Sequence, residues 1–252
     1  MKNFPRESVA YLASPVLVLG AWELAARGGM VDAVFFPPPS EIGHQLLGMV
    51  VSGLIVSDLC TSLFRALCGL LLGGIPGVIL GILMARNRFI YYALHPLVTF
   101  TYPLPKIALI PLVVLVFGYG EISKVFIVSL GGFYLLLLNT YYGASAIDPI
   151  HFETATIGQY RPVDRFLCIL LPGALPAIFN GFKLAVGICL ILIVAAEFVG
   201  STSGIGFRIW ISWEMFQVER MYAALFALAG LGWLLTALLN GMERVIMPWR
   251  RQ

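Results

Sequence analysis

The sequence predicts an all-α polytopic membrane protein. Hydrophobic residues make up 60% of the 252 residues, charged residues only 12%, and the mean hydropathy is +0.91. A helix needs about 20 mostly apolar residues to cross the hydrocarbon core of a bilayer. Backbone groups in lipid must be hydrogen-bonded within their own segment, and the alternating strands of a membrane barrel are not seen. We therefore expect one transmembrane domain, residues 1–252, with about six membrane-spanning helices.

Six apolar runs are long enough to cross a bilayer. They are Val9–Ala26, Leu59–Ala85, Tyr91–Phe117, Ile122–Tyr142, Leu175–Val199 and Tyr222–Ile246. With the N-terminus inside, most lysines and arginines fall in cytoplasmic loops, as the positive-inside rule requires, so both termini are predicted to be cytoplasmic. The first run is longer than the core of a secretory signal peptide, so we expect it to be kept as a span.

The second run carries glycines at a spacing of four residues. Gly69, Gly73, Gly77 and Gly81 therefore lie on one helix face, where they let another backbone come close. Packing within the molecule is the expected use of that face. A contact at a dimer or gate surface is the alternative.

The third run is interrupted by four prolines, Pro96, Pro103, Pro105 and Pro111. Proline removes a backbone hydrogen bond and kinks or ends a helix. Irregular backbone at membrane depth is tolerated only where protein or water covers it. We therefore expect this run to bend around a path or to line one.

Charged residues also lie within the apolar runs: Arg65, Lys106 and Glu197. Such residues usually face the interior of a helix bundle or a cavity. A structural ion pair of Glu197 with Arg65 or with Lys106 is the other interpretation, because the signs are opposite and the sequence gives no distances.

The most informative polar interruption is residues 148–172, DPIHFETATIGQYRPVDRFLCILLP. Asp148 and Pro149 predict a helix start, because Asp caps the first-turn amides and Pro fits the first helical position. Arg161–Asp164 predicts a second start, and Leu171 followed by Pro172 predicts its end. We expect two short helices joined by a turn on the cytoplasmic face, where a soluble partner can receive them.

Two further segments are predicted outside the spans. Pro37–Pro39 leads into an amphipathic helix over Glu41–Val51, with Ser40 as its N-cap. Residues 200–220 are rich in aromatics, which suits an interfacial belt or else a gate or docking loop. The four cysteines and three histidines have no metal-binding spacing, so no metal site is expected.

Several spaced motifs occur together and in order along the chain. They are Phe36-Pro37-Pro38-Pro39-Ser40, Ser62-Leu63-Phe64-Arg65, Pro103-Leu104-Pro105-Lys106-Ile107-Ala108, residues 117–124, Leu138-Asn139-Thr140, Ala195-Ala196-Glu197-Phe198 and Ser203-Gly204-Ile205-Gly206. Together they resemble the membrane subunits (permeases) of binding-protein-dependent ABC importers, in the nitrate/sulfonate/taurine branch. The resemblance covers nearly the whole chain. It implies a type I ABC importer permease fold, placed in the bacterial cytoplasmic membrane.

The resemblance also assigns a role to residues 148–172, which we call the coupling segment. In the family an "EAA" loop docks into a groove of the ATPase subunit, and Glu153-Thr154-Ala155 stands at that position. The coupling residues so implied are Phe152, Glu153, Thr154, Ala155, Ile157, Gly158, Phe166, Leu171 and Pro172. The family glycine falls six residues after the glutamate, where this chain has Gln159. Gly158 stands one residue early, a shift that a local turn could absorb.

Partners follow from the same resemblance. We expect two ATP-binding cassette ATPase subunits, a second permease copy in a homodimer, and an extracytoplasmic solute-binding protein, all at a lipid bilayer and without nucleic acid. The chain has no G-x-x-x-x-G-K-S/T phosphate loop. No cofactor is therefore expected in this chain, and ATP and Mg²⁺ belong to the partner ATPase.

The implied function is import of a small anionic solute, such as nitrate, a sulfonate or taurine, by alternating access. Arg65, Lys106 and Glu197 would then lie near the translocation path. Pairing with a different permease chain stays open, as does a stand-alone secondary transporter or channel. An intramembrane enzyme would need a catalytic motif, and none is seen, so no enzyme activity is expected.

Overall fold

The computed structural model describes the backbone of residues 4–250 and the side chains of residues 13–249. This part of the chain is helical and contains no strand, which confirms the all-α prediction. The helices are α1 Phe4–Arg27, α2 Pro39–Val51, α3 Leu54–Arg86, α4 Arg88–Thr101, α5 Ile110–Phe117, α6 Glu121–Ser145, α7 Pro149–Ile157, α8 Pro162–Arg165, α9 Leu171–Phe198, α10 Ile205–Glu214 and α11 Val218–Ile246.

Among the described residues, four helical stretches are long and apolar enough to cross a membrane. They are α3, α6, the stretch Pro162–Phe198 that ends in α9, and α11. A fifth span results if α4 and the stretch Lys106–Phe117 are counted together. The first predicted run, Val9–Ala26, follows the backbone of α1, but its side chains before residue 13 lie outside the described part.

The third predicted span is bent, as its prolines indicate. α4 and the stretch Lys106–Phe117 meet at an angle of 86°. α4 ends at Thr101, shortly before Pro103, and a 3₁₀ turn at Lys106–Leu109 precedes α5. Tyr102 is still in helical geometry, but Pro103 and Pro105 have no backbone N–H to continue the helical hydrogen bonds, and Pro105 itself is extended with ψ of 111°.

α6 lies at the centre of the bundle, between α3 and α9. The glycine face of α3 packs on it closely: a Cβ at Gly77 would lie 2.6 Å from the carbonyl oxygen of Phe133, and one at Gly81 would lie 2.6 Å from that of Leu137. These gaps are too short for any side chain. The four-residue glycine spacing therefore serves packing within the molecule, as predicted.

The expected N-cap of the second helix is wrong. α2 begins at Pro39, with Pro38 at its N-cap position, because proline is pre-set for the first helical turn. Ser40 lies inside α2 instead. Its hydroxyl donates to Glu23 Oε1 at 2.8 Å and its backbone N–H donates to Glu23 Oε2 at 3.0 Å. Ser40 therefore donates to the Glu23 carboxylate of α1 instead of capping α2, and these hydrogen bonds link α2 to α1.

The expected end of the second coupling helix at Leu171 and Pro172 is also wrong. The chain continues from α8 through a π-helical turn, Phe166–Leu170, directly into α9. In that turn the Leu171 N–H donates to the carbonyl of Phe166, five residues back. Pro172 follows at the second position of α9, where the local hydrogen bonding is already displaced, so its missing N–H does not end the helix.

Candidate functional site

The first helix of the coupling segment starts as the sequence predicts. Asp148 is the N-cap of α7, and its Oδ1 accepts a hydrogen bond of 2.9 Å from the Ile150 N–H. Pro149 is the first helical residue. Both features satisfy or remove donors that would otherwise be unpaired at a helix start.

α7 has one face on the bundle and one face directed away from it. Ala155 is buried. Phe152 is half-buried and packs in an apolar cluster with Ile147 and with Ala174 of α9. The guanidinium carbon of Arg86, the last residue of α3, lies 4.2 Å from the centroid of the Phe152 ring. This cation–π contact and the apolar cluster fix the helix to the bundle.

The outer face of α7 is exposed. Glu153 and Thr154 are solvent-accessible, and Ile157 is 85% exposed. α7 is far too short to cross a membrane, at roughly 13 Å for nine residues. An acidic residue beside a large exposed apolar side chain on a rigidly held helix is a surface suited to a protein partner.

The turn after α7 contains both Gly158 and Gln159. The Gln159 N–H donates to the Thr156 carbonyl at 3.1 Å, and the Tyr160 N–H donates to the Ala155 carbonyl at 3.0 Å. This pair of bonds is a Schellman motif, whose C′ residue is left-handed. Gln159 occupies that position with φ of +53°, while Gly158 has φ of −74°. Gln159, which stands where the resemblance places the family glycine, therefore has the left-handed backbone that favours glycine, and Gly158 does not.

The remaining coupling residues lie at the start of the long second helix. Phe166 opens the π-helical turn and is 38% exposed, whereas Leu171 and Pro172 are half-buried in the first turn of α9. The coupling segment is thus one short helix, α7, followed by a tight turn into a helix that continues into the bundle. Its second half is therefore continuous with α9.

Arg65 and Glu197 lie at the opposite end of the bundle and form an ion pair. Arg65 Nη1 is 2.7 Å from Glu197 Oε1, and both side chains are almost completely buried. Arg65 also holds Glu121, with Nε 2.5 Å from Oε2 and Nη2 2.6 Å from Oε1. The first of the two predicted pairs is confirmed. Glu197 and Lys106 form no ion pair.

Further donors close this buried network. Glu197 accepts hydrogen bonds of 2.8 Å from the Ser62 hydroxyl and from the Gly206 N–H. Asp58 accepts 3.0 Å from the Gly204 N–H and 2.7 Å from Arg208 Nε. Buried carboxylates tolerate their desolvation only when they are paired and hydrogen-bonded, as these are. The network fastens the loop before α10 to the start of α3.

Sequence reasoning missed most of this network. It identified Arg65 and Glu197 as charges within the apolar runs, but gave no role to Asp58, Glu121 or Arg208. The sequence feature that could have indicated the network is Gly204 in the motif Ser203-Gly204-Ile205-Gly206. A Cβ at Gly204 would lie 2.6 Å from Glu197 Oε2, and its φ of +111° is suited to glycine.

Lys106 lies elsewhere, at the bend of the third span. It lines a cavity of about 400 Å³ between the bend, α6 and α9. Its Nζ donates to the carbonyl of Tyr102 and lies 4.4 Å from the centroid of the Tyr134 ring. Among the described residues no carboxylate is within ion-pair distance of this ammonium, in contrast to Arg65. The cavity wall opposite is apolar, with Ile188 and Leu192 of α9.

The described residues contain no group of three or more His, Cys, Asp or Glu side chains that could hold a metal ion. The three predicted path residues lie in two places. Arg65 and Glu197 belong to a closed network that is charge-balanced once Lys124, 3.5 Å from Glu121 Oε1, is counted. Lys106 is, within the described part of the chain, the one cation of an open cavity and has no carboxylate partner there.

Comparison with known proteins identifies the family. Residues 77–252 match the model of the binding-protein-dependent transport system inner membrane component. The chain belongs to this family. It is a multi-pass permease subunit of an ABC transporter, consistent with its apolar helices.

Named relatives of this permease point to the same branch as the sequence motifs. The chain is 30% identical over 239 residues to the putative aliphatic sulfonates transport permease protein SsuC of Bacillus subtilis, covering 95% of this chain and 87% of that protein. It is 32% identical to the putative SsuC of Escherichia coli, with 93% and 89% covered. It is 26% identical to the taurine transport system permease protein TauC of Escherichia coli, with 97% and 90% covered.

The fold agrees with a solved transporter. The crystal structure of an amino acid ABC transporter with histidines aligns with a TM-score of 0.61 and 17% identity, covering 80% of this chain and 96% of that one. At that identity the likeness concerns the fold alone. It supports the predicted ABC importer permease architecture.

Proposed function

We propose that this permease is the membrane subunit of an ATP-driven importer. Two copies form the translocation unit, two ATPase subunits bind the coupling segments and supply ATP and Mg²⁺, and a binding protein delivers a small anionic solute from outside. Nucleotide-driven closure of the ATPase pair would bias the bundle between inward-open and outward-open states.

The observation that carries this proposal is the geometry of α7. Its inner face is fixed to the bundle by Phe152 and Arg86, while Glu153 and Ile157 are exposed on its outer face. A rigidly held short helix with an exposed mixed surface is suited to transmit a partner's motion. Because the π-helical turn leads without interruption into α9, motion of the segment reaches a helix that lines the Lys106 cavity.

The Lys106 cavity favours the proposal that the solute is an anion. An ammonium without a carboxylate partner leaves a net positive charge next to about 400 Å³ of space with largely apolar walls. An anion with a small apolar part would be matched by both features. The names of the relatives, aliphatic sulfonates and taurine, agree with that chemistry.

Charge reversal on the exposed face of α7 tests the proposal. Glu153→Lys should reduce co-purification of the ATPase subunit and transport together, because it reverses the charge at the docking surface without touching the buried face. The measurement is co-purification of the affinity-tagged permease with the ATPase in mild detergent, followed by uptake in proteoliposomes with ATP.

Glu41→Lys is the matched control. Glu41 is an exposed acidic residue on α2, near the other end of the bundle. It should leave ATPase co-purification at the wild-type level. If Glu153→Lys also retains full co-purification and transport, the assignment of α7 as the ATPase contact is wrong.

A further inference from the structure

A second cavity lies at the coupling end of the bundle, separate from the surface of α7. It measures about 290 Å³ and lies where α3 ends, α4 begins and α6 ends. Its polar lining residues are Arg86, Arg88, Tyr91, Tyr92, Tyr141 and Ser145. We call it the arginine–tyrosine pocket.

The pocket carries uncompensated positive charge. Within the part of the chain that the structure describes, no carboxylate lies within ion-pair distance of Arg86 or Arg88, whereas the buried Arg65 has two carboxylates. Both side chains belong to exposed residues at the rim. A guanidinium offers planar paired donors that match the oxygens of a phosphate, so two of them at one cavity suit a phosphate group.

The tyrosines place the pocket at the membrane boundary. The rings of Tyr91 and Tyr141 stack with their centroids 5.3 Å apart and an interplanar angle of 19°. Arg86 and Ser145 are the last residues of two candidate spans, α3 and α6. Span ends with tyrosines lie at the level of lipid headgroups, and basic pockets between membrane helices bind anionic headgroups.

We propose that the arginine–tyrosine pocket binds the phosphate of an anionic phospholipid headgroup. Its position at the span ends favours lipid, although a free phosphate ion has the same chemistry. The site also touches the coupling machinery, since the Arg86 guanidinium that faces the pocket lies on the Phe152 ring of α7. A bound headgroup would therefore contact the cation that holds α7 in place. The binding itself does not depend on which solute is carried.

The test is native mass spectrometry of the full-length permease in detergent, titrated separately with phosphatidylglycerol, phosphatidylcholine and inorganic phosphate. We expect phosphatidylglycerol to bind at least about tenfold more tightly than phosphatidylcholine, from charge-assisted hydrogen bonds to the headgroup. Arg88→Gln should remove most of that preference. If inorganic phosphate at millimolar concentration displaces phosphatidylglycerol, free phosphate shares the site. Failure to displace it assigns the site to lipid.

Arg161→Gln is the charge-matched control, since Arg161 is an exposed arginine of the coupling segment that does not line the pocket. It should retain the wild-type lipid preference. Arg88→Lys, which keeps the charge but loses the paired donors, should fall between wild type and Arg88→Gln. Equal binding of the two lipids by the wild-type protein would overturn the proposal, whether or not the variants fold. So would equal losses in Arg88→Gln and Arg161→Gln.

Discussion

Replacing Gln159 by glycine should stabilise the turn of the coupling segment. Gln159 holds φ of +53° at the C′ position of a Schellman motif. A left-handed conformation costs a residue with a side chain roughly 1–2 kcal/mol, and glycine avoids that cost. Glycine loses part of this gain, about 0.5–1 kcal/mol, because it has more conformational freedom in the open state. The net gain is about 1 kcal/mol, which corresponds to roughly fivefold less local opening.

Hydrogen exchange read by mass spectrometry is the suitable assay, because the effect is local and global unfolding need not report it. The amides to follow are those of Gly158, Gln159 and Tyr160, whose N–H groups bond back into α7. They should exchange about fivefold more slowly in Gln159→Gly.

Gln159→Ala is the control for that experiment, since it removes the glutamine side chain beyond Cβ but keeps Cβ and with it the cost of the left-handed backbone. Its exchange should match the wild type. Equal protection in the glycine and alanine variants would refute the reasoning, because the gain would then come from loss of the glutamine side chain and not from the backbone.

Two further predictions concern the buried Glu197 network and the Lys106 cavity. Gly204→Ala should destabilise the permease by about 2 kcal/mol or more, because the added Cβ meets the Glu197 carboxylate at a φ of +111°. The control is Gly48→Ala, because a Cβ added at this helix glycine would meet nothing within 4 Å. The melting temperature of Gly204→Ala in detergent should be lower than that of the control. A melting temperature equal to that of the wild type would contradict the prediction. Lys106→Gln should lower ATP-driven uptake of an anionic solute by about tenfold or more, the value of a charged hydrogen bond, while Lys106→Arg retains most of it. Full uptake by Lys106→Gln would remove the cavity from the path.

The coupling segment illustrates how far sequence reasoning reached. The start of α7 at Asp148 and Pro149 depends on neighbours in the chain, so local rules were sufficient. The end at Pro172 was wrong because helix propensity alone cannot show that a π-helical turn displaces the hydrogen bonds ahead of the proline. The left-handed conformation of Gln159 was also hidden, since glutamine gives no sign of it.

At the candidate sites, too, the sequence identified individual residues but not their partners in space. The sequence identified Lys106 as an intramembrane charge and Arg65 and Glu197 as opposite charges. It did not give the third member, Glu121, and it did not decide whether Glu197 pairs with Arg65, 132 positions away along the chain, or with Lys106. Nor did it connect Arg86 with Phe152, which only the packing of α3 on α7 brings together.

The sequence by itself determined the class of this protein: membrane helices, a bent third span, a close-packed glycine face and the helix start at Asp148 and Pro149. These features depend on composition, on spacing within one helix and on the geometry of proline and glycine, all of which are local. The tertiary structure alone decided which charges neutralise one another and which stay unpaired. Burial makes that difference matter, because at Arg65 desolvation is offset by two carboxylates, while the cations at Lys106, Arg86 and Arg88 are left available to an anion.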